Sequence, residues 1–203
     1  MSVDFSNSET VKNLMRAFAG ESQARNRYTF AAQICQKQKL HVLEAVFKFT
    51  AEQEKEHAQI FWDHMKPVSG QTIQIDGGYP VELSTDVTKL LRSSQHNEYE
   101  EHDPVYKQFG EIAKQEGFPQ IASSFQQIAK IEKSHGNRFG YLADLLSQGK
   151  LFVSDTACGW FCLNCGHIQE GTSAPQTCPV CKHDQGYFIR LELTPYGGAS
   201  VLK

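Results

Sequence analysis

Glu54 and His57 stand three positions apart, and so do Glu132 and His135. Both pairs interrupt apolar residues that recur at helical spacing. Phe47, Thr50, Ala51, Ala58 and Phe61 surround the first, and Phe125, Ile128, Ala129, Phe139 and Leu142 the second. Positions three apart share a helix face, so each Glu-x-x-His points into the stripe its helix buries. A lone glutamate precedes each pair. Glu21 sits among Leu14, Ala17, Phe18, Ala24 and Tyr28, 33 positions before Glu54; Glu98 stands 34 before Glu132. Glu52, by contrast, has Lys48, Lys55 and Glu56 for neighbours and reads as an ordinary solvated charge. An uncompensated buried carboxylate costs on the order of several kcal/mol. A chain that turns this many inward is constrained to fold around compensating cations.

The elements that carry these residues read as four long helices. The first spans about Ser8 to Lys37, and the second about His41 to Met65, stopping before Pro67. The third spans about Thr85 to Glu116 with Pro104 inside it, and the fourth begins near Pro119 and ends before Gly149. Between the second and third, Ser69 to Pro80 is rich in Gly and Pro and long enough to cross a bundle. Four helices with one long crossover predict a ferritin-like bundle, all-α. One Glu and one Glu-x-x-His from each helix pair is the ligand set of di-iron and di-manganese carboxylate bundles.

Glu101, one turn beyond Glu98, is a further candidate. Two ferric ions with five carboxylates and one hydroxide are neutral. Two ferrous ions are balanced by four carboxylates and a neutral imidazole. A buried site therefore favours exchange of Glu101 for His57 on reduction. Pro104 has no N–H for the Glu100 carbonyl, which opens the helix beside this position; a simple packing kink is an equal reading.

Beyond Gly149 the helical period stops. Residues 1–149 are expected to form the bundle, 150–157 a linker and 158–203 a small domain rich in β-structure and loops. Four of the six cysteines form two C-x-x-C knuckles, Cys162/Cys165 and Cys178/Cys181, twelve residues apart. Two such pairs in one small unit signal a tetrathiolate metal site, and spacing alone leaves zinc and iron both open. Cys35 and Cys158 stand alone and take no role. With 20 Lys+Arg against 23 Asp+Glu, the net charge of −3 offers no excess to neutralise phosphates, so nucleic acid is not an expected partner. The polar N-terminus lacks the apolar core of a signal peptide, and no run reaches the ~18 apolar residues of a membrane span. A cytoplasmic protein is the expectation.

The runs A-G-E-S-Q-A-R-N-R-Y in the first helix, E-x-E-K-E-H in the second, E-Y-E-E in the third and E-K-S-H in the fourth, with the C-x-x-C-G and C-P-V-C knuckles, resemble rubrerythrin over essentially the whole chain. The tail is similar to rubredoxin with a shortened loop, and lacks the glycine after its second pair. The resemblance implies a di-iron centre in the bundle and one mononuclear Fe(SCys)4 on Cys162, Cys165, Cys178 and Cys181. It implies that Glu54 and Glu132 bridge the irons and that Glu98 and His135 bind one of them. Glu21 and Glu101 would bind the other when oxidised, His57 replacing Glu101 on reduction. Tyr28 and Tyr106 match tyrosines just behind the ligands. The implied activity is a non-haem peroxidase that reduces hydrogen peroxide to water and protects against oxidative stress. Electrons would arrive one at a time through the tetrathiolate iron from an external reductase or rubredoxin, within a head-to-tail homodimer.

Two rivals differ in class. An iron-storage or ferroxidase bundle needs neither the second Glu-x-x-His nor a tetrathiolate tail. A binding or regulatory protein would carry zinc in that tail.

Overall fold

The computed structural model describes residues 3–194; the last part of the expected small domain, 195–203, lies outside the described residues. Helix α1 (Glu9–Lys37) starts where the Ser8 hydroxyl accepts the Val11 N–H. Its next free amides, Glu9 N and Thr10 N, donate to the Glu116 carboxylate at 3.0 and 2.8 Å. A carboxylate more than a hundred positions further along the chain thus satisfies donors that a helix start leaves unpaired. A tight turn through Lys39, in the left-handed region at φ 59°, reverses the chain into α2 (His41–His64).

The crossover, residues 69–86, runs irregularly along α1. Ile73 packs beside Met15, Asp76 pairs with Arg16, and Thr85 O accepts from Gln38 Nε2. It therefore travels the bundle's length before α3 begins, as its expected role requires.

Where one continuous third helix is expected, the chain forms α3 (Val87–Glu100), a wide turn at Glu101–Val105 and α4 (Tyr106–Gln115). Asp103 leaves helical geometry altogether (φ −156°, ψ 114°), immediately before Pro104. The cause is local: the proline ring disfavours helical backbone in the residue before it and supplies no N–H. His102 Nδ1 lies 2.7 Å from Ala129 O and pins this turn to the last helix. That helix, α5 (Pro119–Ser147), ends at Gly149 with φ 68°.

The small domain is an antiparallel sheet of β1 (Val153–Cys162), β2 (Ile168–Ser173) and β3 (Phe188–Arg190), with β1 central. Trp160 and Phe188 form its core with Ala174 and the buried cysteines. β1 begins inside the span expected as linker, because Val153 already pairs with Ser173. Leu151 and Ile189 join the same buried cluster as Leu43 and Leu145, so the sheet is seated on the end of the bundle. Tyr187 stacks on His41 at 4.1 Å between ring centroids. Gly186 passes so close to Lys39 that an added Cβ would fall 1.8 Å from its carbonyl oxygen.

Candidate metal centres

Halfway along the bundle, two groups of donors come together: Glu21, Glu54, His57 and Glu132, and Glu54, Glu98, Glu132 and His135. Within each group the ligating atoms lie within 4.8 Å of one another, and all of these side chains are buried. Glu54 and Glu132 belong to both groups, so they stand between the two positions. His57 Nδ1 lies 2.9 Å from Glu132 and 3.0 Å from Glu54; His135 Nδ1 lies 2.9 Å from Glu132 and 3.1 Å from Glu54. These approaches are short but are not aligned as hydrogen bonds. Both oxygens of Glu54 and of Glu132, Glu98 Oε2, Glu21 Oε2, His57 Nδ1 and both His135 nitrogens are left without partners. Buried polar atoms are otherwise almost always paired. Convergent lone pairs that do not satisfy one another fit a pair of cations.

Glu101 falls outside both groups. It is half-buried on the opened turn, while His57 occupies the inward position. Behind the donors, the Tyr28 hydroxyl donates to Glu98, and the Tyr106 hydroxyl to Glu21 Oε1 at 2.5 Å. Each hydroxyl fixes one carboxylate oxygen and leaves the other free to ligate.

Protons compete for these atoms. Burial, then the charge of Glu132, pushes the Glu21 carboxyl up to about 8. Burial and neighbouring carboxylates likewise raise Glu98 and Glu101 well above the usual range. Glu132 goes the other way. Burial opposes its charge, but the two imidazoles outweigh that and bring it to about 2. Burial also disfavours charge on His135, yet Glu132, Glu54 and Glu98 hold its proton up to about 12, and Glu132, Glu21 and Glu54 raise His57 against the same burial. Ligation requires neutral imidazoles and an ionised Glu21, so metal uptake must expel protons. Anaerobic Fe(II) titration in weak buffer with an indicator dye should show this release, with affinity rising from pH 6 to 8. Uptake without protons, or insensitive to pH, would contradict the assignment.

Sequence reading missed the parts that set the spacing. Gly136 and Gly140 face α3 so closely that added Cβ atoms would fall 2.6 Å from Tyr99 Cε1 and 2.2 Å from Gln95 Nε2. This close approach brings Glu98 to His135. Two glycines four apart on a buried helical face were the available signal. Arg138, one turn beyond His135, holds Thr50 Oγ1 at 3.0 Å and lies over the Phe49 ring.

In the small domain, Cys162 Sγ and Cys181 Sγ are 3.7 Å apart, as are Cys165 and Cys178. A tetrahedron with metal–sulfur bonds of about 2.3 Å has edges of about 3.8 Å, so the thiols fit one ion and form no disulfide. The knuckles are built alike: Cys162 N donates to His167 O and Cys178 N to His183 O, both at 2.8 Å. Gly166 (φ 78°) and Lys182 (φ 64°) occupy the same left-handed place. The missing glycine therefore leaves the loop intact but strained at Lys182. Lys182→Gly should stabilise the metal-loaded protein by about 0.5–1 kcal/mol, seen as a raised denaturant midpoint; a lowered midpoint would contradict the strain. The His183 N–H, foremost, draws the Cys181 thiol down to about 5, while burial pushes Cys162 up to about 12.

Fold and donors together define a ferritin-like dimetal-carboxylate protein with an appended tetrathiolate metal domain. The rubrerythrin family model matches residues 12–143, and the model of the rubrerythrin rubredoxin-like domain matches residues 160–189. The chain is 43% identical to a rubrerythrin of Clostridium perfringens, over 89% of this chain and 93% of that one. It is 39% identical to a rubrerythrin of Porphyromonas gingivalis, over 93% and 92%. Fully reduced, all-ferrous nigerythrin has the same fold, with TM-score 0.61 at 22% identity, covering 92% of this chain and 91% of that one. The chain belongs to the rubrerythrin family. Its cofactors are a di-iron pair in the bundle and one mononuclear Fe(SCys)4, and its class is that of the oxidoreductases. No helix among the described residues is long and apolar enough to cross a membrane.

Proposed function

We propose that the protein is a cytoplasmic peroxidase that reduces hydrogen peroxide to water. The observation that carries this reading is the sharing of Glu54 and Glu132 between two donor groups, which sets two metal positions side by side. Two ferrous ions there supply the two electrons that one peroxide takes. Glu54 and Glu132 would bridge, Glu98 and His135 would hold one iron, and Glu21 with His57 or Glu101 the other. The inward His57 and outlying Glu101 resemble the arrangement that charge balance favours for the reduced state. The open turn gives Glu101 room to swing in as His57 leaves. Tyr28 and Tyr106 keep Glu98 and Glu21 oriented, and the apolar rings of Phe47, Phe61, Phe125 and Phe139 keep bulk water away.

The rubredoxin-like domain implies electron transfer, and here it would relay single electrons to the bundle from an external reductase or rubredoxin. Tyr187 marks its seat at His41, and Glu54 lies 13 residues further along α2. That is about 20 Å of helix. Electron transfer weakens steeply over such a span. A head-to-tail homodimer, laying one tail against the other chain's bundle, would shorten the path twice over by symmetry. The test is steady-state peroxide consumption with an NAD(P)H-linked donor. Saturable turnover is expected; consumption no faster than that of free iron would overturn the reading.

A further inference from the structure

A cavity of about 230 Å3 leads from the surface of the bundle towards the carboxylate cluster. One wall is α1, at Arg16 and Gly20; the other is α3, the turn after it and the start of α4, at Asn97, Glu101 and Tyr106. The crossover segment roofs it at Tyr79. This roof is fastened at the mouth, where the Tyr79 hydroxyl donates to Arg16 O at 2.8 Å and the Arg16 guanidinium binds the Asp76 carboxylate at 2.7 Å. At the inner end stand Glu101 and Tyr106, the latter already bonded to Glu21.

Asn97 lines this cavity, is only 9% exposed, and its Nδ2 is buried without a hydrogen-bond partner. A donor left unsatisfied in this way costs about 1–3 kcal/mol. Leucine would fill the same volume with no such penalty, so packing alone does not account for the amide. The acidic inner end disfavours small anions. What suits the cavity is a small neutral molecule with lone pairs to accept from Nδ2.

We propose that this cavity is the entry route of the peroxide substrate and that Asn97 is a substrate-positioning residue, its Nδ2 donating to a peroxide oxygen beside Glu101. The inference rests on the peroxidase reading, and its test separates the two. Gly20→Leu and, at the half-buried edge, Gln23→Trp would each fill the passage; Asn97→Leu would keep its volume and remove the donor. Nitric oxide, small, neutral and able to bind ferrous iron, reports passage without turnover through the absorption of its iron adduct. In variants that retain wild-type iron content, a filled passage should slow nitric oxide association and oxidation by peroxide at least tenfold together. Asn97→Leu should raise KM for peroxide about tenfold with kcat little changed, and leave nitric oxide association as in wild type. Unchanged kinetics in a plugged variant that holds its iron would overturn the route. An unchanged KM in Asn97→Leu would overturn the role of the amide. If wild-type protein failed to reduce peroxide while plugging still slowed nitric oxide, the peroxidase reading would fall and the passage would stand.

Discussion

Glu54→Ala should empty both metal positions of the bundle at once while leaving the tail iron in place. Glu54 is shared between the two donor groups, so its loss removes an oxygen from each. It also strands His57 and His135, which lie 3.0 and 3.1 Å from its carboxylate. Loss of a residue merely behind a metal ligand costs about 10–100-fold in affinity or activity. Loss of a shared ligand should exceed that, so peroxide turnover should fall by more than about 100-fold. Iron per chain should drop from three to one, with the red colour of ferric tetrathiolate retained. Glu52→Ala, two positions away on the solvated face of α2, serves as the control and should keep three irons and full activity. A Glu54→Ala protein with three irons would show that the carboxylate bridges nothing.

The opposite phenotype is expected of Cys162→Ser. Cys162 is one of the two buried corners of the tetrathiolate, 3.7 Å from Cys181. The variant should lose the red colour of ferric tetrathiolate, should still be oxidised once by peroxide in its reduced form, and should then stop, because the relay is broken. Mixing the two dead variants by co-refolding tests the path between chains. In a mixed head-to-tail dimer, the intact tail of the Glu54→Ala chain faces the intact bundle of the Cys162→Ser chain. Turnover should return there. Purified mixed dimers that stay inactive, beside wild-type protein refolded to full activity, would place the route within one chain.

Most of this architecture was legible in the sequence because each signal had a single physical meaning. Glu-x-x-His on an apolar stripe fixes the helix face, and the structure gathers Glu21, Glu54, His57, Glu98, Glu132 and His135 into two donor groups. Two C-x-x-C knuckles leave little freedom in how four thiols meet. Pro104 was visible as an opening in the third helix, but the extent of the break was not. It depends on His102 reaching the Ala129 carbonyl, a contact between residues 27 positions apart. The seating of the small domain was hidden for the same reason. It hangs on Gly186 passing Lys39 and on Tyr187 meeting His41, neither of which leaves a periodic trace. Residues 150–157 read as a linker because their alternation is short; only pairing with the distant Ser173 makes Val153 a strand residue. Gly136 and Gly140 were in plain view, yet a glycine reveals close approach only once its neighbour is known.

The central claim is that two irons in the bundle pass two electrons to one peroxide while the third iron refills them. It is tested most directly by single-turnover stopped flow on anaerobically reconstituted, fully reduced protein. One equivalent of hydrogen peroxide per chain is mixed in, with no donor present. The account predicts three irons per chain, oxidation of the bundle irons first, and exactly matched consumption of one peroxide per two ferrous ions. The red absorption of the tail should develop later, as that centre passes its single electron to the oxidised bundle, so that three ferrous ions per chain consume one and a half equivalents of peroxide in all. Protein that holds zinc in the tail and reduces no peroxide at two ferrous ions per molecule would contradict it.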